Sequence, residues 1–297
     1  MDHEKITYYN EISLMMFGFG DSHKPNPETV RLVETIVLSQ LKRIVQEALK
    51  YSEGTNLKGE ELVFLMRKNK WKMRRFVKYL QNSIIKNKLD KLDKLITFEE
   101  EQSKKSKNNL LEFIEKLDET GELTDLSEFD EIKYERQLRA DRISEALDEK
   151  KYMEFYKARC ASFNSRGFSH ARNSEKLRLW IDPKKEITFS YNALDVLAYY
   201  AYETVAQITD YALLVRMDMR ATGDPLKPLS GAHYTAAMFN GEHRFTGANP
   251  DYSRVYTGQP PISVNEIKEV MRRVNSPQAG RLYFGRKLPE SQFFFAI

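Results

Sequence analysis

Apolar residues recur along two stretches of the chain at the spacing of a single helix face. Val30, Val33, Val37, Leu41, Ile44, Ala48 and Tyr51 are separated by three or four residues each. At 3.6 residues per turn that keeps them in register and predicts one long amphipathic helix. Leu194, Leu197, Ala201, Val205, Ile208, Ala212 and Val215 repeat the same steps at a constant offset of 164 residues. A second long helix is therefore expected. Shorter helical patterns flank each one: EISLMMFGFG before the first and LKGEELVFLMR after it, then NSEKLRLWID before the second and ISVNEIKEVMR after it. The order short, long, short, written twice, describes one supersecondary unit used twice. Asn26 as N-cap and Pro27 in the first turn mark where the first long helix starts, and Gly54 marks where it ends.

The last helices of the two units align Leu57 with Ile262, Leu62 with Ile267, Leu65 with Val270 and Arg67 with Arg272, an offset of 205 residues. The second unit thus carries 41 more residues than the first, at about 223–261. A loop that long inside a compact domain is functional or disordered. The chain divides into a first unit at 8–90 that ends in an added basic helix, a charged and partly helical connector at 91–172, and a second unit at 173–297. A stripe of about 27 helical residues is about 40 Å long, more than two short helices can cover. Each large side chain left in water would forgo about 1.5–3 kcal/mol. Crossing the two long helices buries both stripes at once, so the expected fold is all-α, with the two units paired inside one chain.

Charge narrows the choice of function. The 297 residues are 41% apolar and carry a net charge of +4, far too little for a protein whose main work is neutralising phosphates. The surplus is local: residues 67–94 hold eleven Lys or Arg against two Asp, whereas residues 112–149 hold five against fourteen Asp or Glu. Lys70, Lys72, Arg74, Arg75 and Lys78 are candidate contacts for weak, non-specific DNA binding. The competing reading is a solvated helix face screened by the acidic connector, because Phe76, Val77 and Leu80 form one packed side. Cys160 is the single cysteine and is expected to pack rather than react, in a reducing compartment. His3, His23, His170, His233 and His243 include no pair at metal-ligand spacing around a glutamate. GFGDSHKPNP lacks the Lys-Ser/Thr of a phosphate loop and reads as a helix stop. No enzymatic constellation, cofactor, metal or small-molecule substrate is expected. MDHEKITYYNE shows no leader pattern, and no segment reaches about 18 uncharged apolar residues, so no membrane association is expected. Trp71 and Trp180 read as packing anchors, and the SQFFFAI tail either tucks into its own core or docks to a partner.

The stretches ISLMMFGFGDSHKPNPETVRLVETIVLSQL, LKGEELVFLMRKNKWKMRRFVKYL, LDETGEL, LWID and LAYYAYETVAQITDYALLVRMDM resemble the Spt-three (suppressor of Ty) family over nearly the whole chain. That family is the double histone-fold subunit of the SAGA transcription co-activator. The first unit is similar to the TAF-thirteen type of histone fold and the second to the TAF-eleven type. The resemblance implies a non-enzymatic nuclear subunit that recruits or delivers TATA-binding protein to promoters, beside other SAGA core subunits including histone-fold proteins. It pairs the two folds within one chain, which sets Val30, Val33, Val37, Leu41 and Ile44 against Leu194, Leu197, Ala201, Val205 and Ile208. A histone-like, DNA-binding architectural protein is the alternative, and against it the first end loop, DSHKPNP, carries one lysine. Counting about 100° per residue, Tyr199, Glu203 and Asp210 turn away from the apolar stripe. They are the candidate contact for basic surface on TATA-binding protein, although acids on an outer helix face also serve solubility alone.

Overall fold

The computed structural model describes residues 6–52, 54–89, 109–125, 127–163, 170–221, 260–275 and 293–297. The first unit comprises α1 (Tyr9–Gly18), α2 (Pro27–Leu49), the two-residue strand β1 (Asn56–Leu57), α3 (Gly59–Met66) and α4 (Lys70–Leu89). In the connector the described residues form α5 (109–117), α6 (Glu131–Glu145) and α7 (Glu149–Cys160). The second unit comprises α8 (His170–Ile181), β2 (Thr188–Phe189), α9 (Tyr191–Ala221) and α10 (Val264–Asn275).

Local chemistry sets the start of α2. The Asn26 side chain accepts the Glu28 amide at 2.9 Å, Pro27 opens the helix where no amide donor is needed, and Glu28 faces the positive end of the helix dipole. The helix then buries Val30, Val33, Val37, Leu41, Ile44, Val45 and Ala48. These residues share one apolar cluster with Leu197, Ala201, Val205, Ile208, Ala212 and Val215 of α9, so the two long helices shield each other. Ala193, Ala201 and Ala212 on α9 are fully buried, and their small side chains allow close approach.

The units join head to tail at both ends of the crossing. At one end β1 runs parallel to β2, with the Thr188 amide donating to Thr55 O and the Ser190 amide to Leu57 O, both at 2.9 Å. At the other, the Ile262 amide donates to Asp21 Oδ1 and the Thr29 hydroxyl donates to Ile262 O, both at 2.8 Å. Leu57 and Ile262, equivalent positions in the sequence repeat, are both fully buried at these ends. Between them the Tyr200 hydroxyl on α9 donates to Leu62 O on α3 at 2.8 Å. The outer short helices close the core through aromatic contacts, with Tyr8 lying 4.9 Å from both Phe163 and Trp180.

The connector packs rather than trails. Leu110 and Ile114 of α5 join the main core. Ala140 and Ile143 of α6 pack with Phe155 and Ala158 of α7 and with Phe17 of α1 in a smaller cluster. A Cβ on Gly18 would stand 3.0 Å from Ala158 O, so α1 and α7 approach as closely as a glycine permits.

Three expectations are corrected. Tyr51 lies beyond the end of α2 and is 54% exposed, with its ring edge against Phe64. Leu194 is half-buried outside the core, because Ala193 takes the core position in the first turn of α9. Cys160, the last residue of α7, is exposed. The insertion expected at about 223–261 lies outside the described residues except at its very end.

Candidate functional site

α9 carries its second chemistry on the side turned away from α2. Tyr199, Glu203 and Asp210 share a helix face, as their spacing of four and then seven residues requires. That face is not open to solvent, which corrects the expected accessible acidic surface. Tyr199 packs against Phe76 and Tyr79 of α4, at 5.0 and 4.8 Å between rings. Glu203 and Asp210 are covered by α6, which brings two arginines onto them. Arg136 Nε donates to Asp210 Oδ2 at 2.7 Å and its Nη1 donates to Glu203 Oε2 at 3.1 Å, while Arg139 Nη1 donates to Asp210 Oδ1 at 2.8 Å. The physical reason is desolvation: an acid under a packed helix needs a charge partner, and α6 supplies it.

The electrostatics follow from that geometry. Burial by itself raises the Asp210 carboxyl, but Arg136 and Arg139 outweigh it and hold the group below the ordinary carboxylate range. Burial disfavours the Arg136 charge, and Asp210 and Glu203 more than restore it. Burial, together with the Glu203 charge, pushes the Tyr199 phenol well up. Arg139 also donates to Phe19 O at 2.7 Å. Gly20, at φ 109°, makes room for it, since a Cβ there would lie 2.7 Å from the Arg139 Cδ. The apolar residues that α6 buries face α7 and Phe17, so its hold on α9 is mainly ionic.

The basic helix α4 meets the same connector. Arg74 pairs with Glu128 and donates to Glu122 O at 2.7 Å, and Arg75 pairs with Asp130, the N-cap of α6, at 2.5 Å. Lys72 Nζ donates to Phe295 O at 2.7 Å and to Ile297 O at 3.0 Å. Burial, reinforced by the neighbouring Arg75, pushes its ammonium down to about 7. Of the five candidate DNA contacts only Lys70 and Lys78 are exposed. The expectation of a five-residue basic surface is corrected accordingly. Lys70 and Arg74 flank the Trp71 ring at 5.8 and 5.3 Å.

Sequence reasoning missed Arg136 and Arg139 as site residues. Their signal was available: two arginines at i, i+3 inside the most acidic stretch of the chain.

Two short-long-short helical units, crossed on their long helices and joined at each end where the loop after one long helix meets the loop before the other, define a double histone fold within one chain. Residues 6–94 match the family described as Transcription initiation factor IID, 18kD subunit. The whole chain aligns with 75% of the SAGA complex subunit Spt3 of Drosophila melanogaster at 32% identity over 306 residues. The SAGA complex subunit Spt3 of Schizosaccharomyces pombe is 26% identical, over 91% of this chain and 90% of its own length. A shorter match, 31% identical over 71 residues, covers 24% of this chain and 57% of the Transcription initiation factor TFIID subunit 13 of Homo sapiens. The chain belongs to the Spt3 family of transcription co-activator subunits, which are not enzymes.

Proposed function

We propose that this chain is a nuclear subunit of a SAGA-type co-activator, and that it holds TATA-binding protein for delivery to promoters. The observation that supports this reading above all is similarity to SAGA complex subunits along the full chain rather than over one fold. The fold agrees with it: α2 and α9 bury each other's apolar stripes, so the histone-fold pair is complete without a second chain and its outer faces are left for other subunits, histone-fold proteins among them. Val30, Val33, Val37, Leu41 and Ile44, with Leu197, Ala201, Val205 and Ile208, form the pairing surface in this reading.

Tyr199, Glu203 and Asp210 supply the chemistry a basic partner needs, and Arg136 with Arg139 already occupies it from within. A basic segment of TATA-binding protein would therefore reach these acids by displacing α6. DNA wrapping is the weaker reading, because Lys72, Arg74 and Arg75 are engaged inside the protein. The test is to purify tagged protein from nuclear extract at moderate salt and identify what remains bound. SAGA-type subunits together with TATA-binding protein are expected. Retention of the subunits without TATA-binding protein rejects the delivery role and keeps the membership. Glu203→Lys, checked for an intact fold by circular dichroism, is expected to weaken TATA-binding-protein retention selectively.

A further inference from the structure

Away from the acidic face, residues 293–297 lie in a groove between α2, α4 and α9. They form no helix or strand there. Gln40 of α2 is 4% exposed and reads the main chain with both ends of its amide: Nε2 donates to Phe293 O at 3.2 Å and Oε1 accepts the Phe295 amide at 3.4 Å. A strand neighbour in a parallel ladder bonds in this way, straddling one residue through the carbonyl before it and the amide after it. Lys72 of α4 donates to Phe294 O, Phe295 O and Ile297 O. The Arg43 guanidinium lies 5.6 Å over the Phe294 ring. Two side chains enter the groove fully: Phe295, 0% exposed and 6.1 Å from the Tyr211 ring of α9, and Ala296, 2% exposed. Phe293, Phe294 and Ile297 stay half-buried.

We propose that this groove is a peptide-binding site for an extended segment carrying an aromatic residue followed by a small one, and that residues 293–297 are its exchangeable ligand in cis. As in strand addition, the polar contacts read the ligand's main chain, but here the side chains of Gln40 and Lys72 supply them in place of a sheet edge, while the pockets at 295 and 296 give selectivity. A larger side chain at 296 has no room, since Ala296 is already closed in. Gln40 and Lys72 belong to the first fold and Tyr211 to the second, so the bound segment also clips the two folds together.

The experiment uses the full chain with Phe295→Ala, which vacates the deep pocket, and a dye-labelled heptapeptide of residues 291–297. Anisotropy is expected to report saturable binding to this variant, at least tenfold tighter than to the unaltered chain, whose groove is filled. Adding Gln40→Leu to the variant should weaken binding at least threefold, and a peptide with Asp in place of its last phenylalanine, the one corresponding to Phe295, should not bind. No binding, or equal binding of both peptides, overturns the proposal. Should Phe295→Ala fail to fold, hydrogen exchange on the unaltered chain decides. The Phe295 amide is expected to exchange by local opening, well before α9, and faster with excess unlabelled peptide. Exchange only together with α9 would make the segment an ordinary part of the core and overturn the proposal.

Discussion

Replacing Arg136 with methionine tests whether α6 is held on α9 by charge. The substitution keeps much of the side-chain volume and removes one of two guanidiniums from Asp210, whose side chain is 1% exposed. Breaking a buried pair from one side costs about 3–5 kcal/mol, because the remaining charge stays buried. Arg139 still sits 2.8 Å from Asp210, and the Glu203 side chain keeps 13% exposure, so the expected loss straddles the lower end of that range, about 2–4 kcal/mol at neutral pH. The sign of the pH dependence follows. In the unaltered chain the folded Asp210 carboxyl is held below its unfolded value, so its contribution is present above that value and lost as pH falls through the folded one. In the variant burial is less well opposed and the folded carboxyl titrates higher. The deficit relative to the unaltered chain should therefore shrink between pH 7 and about pH 4 as the acid takes up a proton. Urea unfolding followed by far-ultraviolet circular dichroism at both pH values measures it. Asp210→Leu combined with Arg136→Met should recover most of the loss, since an apolar pair replaces an ionic one. A loss under about 1 kcal/mol at pH 7, or a deficit that grows on acidification, would refute this account of α6.

Asp21 is the reverse case: burial pushes its carboxyl up to about 6 from 3.8, so the folded protein loses stability as pH rises between those values. Asp21→Asn keeps an acceptor for the Ile262 amide and should raise stability by about 1–3 kcal/mol at pH 7, a gain that vanishes below about pH 4 and is read from thermal midpoints at both pH values. Val37→Asp or Ala201→Asp places a charge at the fully buried crossing of the long helices, and loss of the cooperative unfolding transition in a calorimeter is expected. Tyr200→Phe removes the donor to Leu62 O and should cost about 1 kcal/mol in a urea titration with no change in the slope against denaturant.

The long helices and their pairing were legible because period and length are local properties. Val30 to Ala48 and Leu197 to Val215 had to be buried, and only another stripe of equal length could do it. The repeat offset likewise matched Leu57 with Ile262, the two buried residues at opposite ends of the crossing. What one helix face meets is not local. A helical wheel put Glu203 and Asp210 opposite the stripe, where they are, but could not show that a connector helix some 70 residues earlier would lie over them. The same limit affected α4. Its periodicity separated Phe76, Val77 and Leu80 from the cations, yet Lys72, Arg74 and Arg75 found partners at residues 122–130 and 294–297, distant in sequence. Leu194 and Tyr51 failed at the ends of stripes, where the first and last turns are least constrained by period.

The pairing of Arg74 with Glu128 and of Arg75 with Asp130 makes the connector a built-in polyanion for the basic helix. A free arginine in solution keeps a loose cloud of small anions, and a nucleic acid that displaces the cloud around a protein gains affinity by releasing ions to the bulk. Here those two positions hold covalently tethered carboxylates instead. An incoming phosphate would have to evict a tethered acid and would free no small ion by doing so. Removing the connector acids, rather than adding lysines, is therefore the route by which this histone-fold pair would gain a salt-dependent grip on DNA.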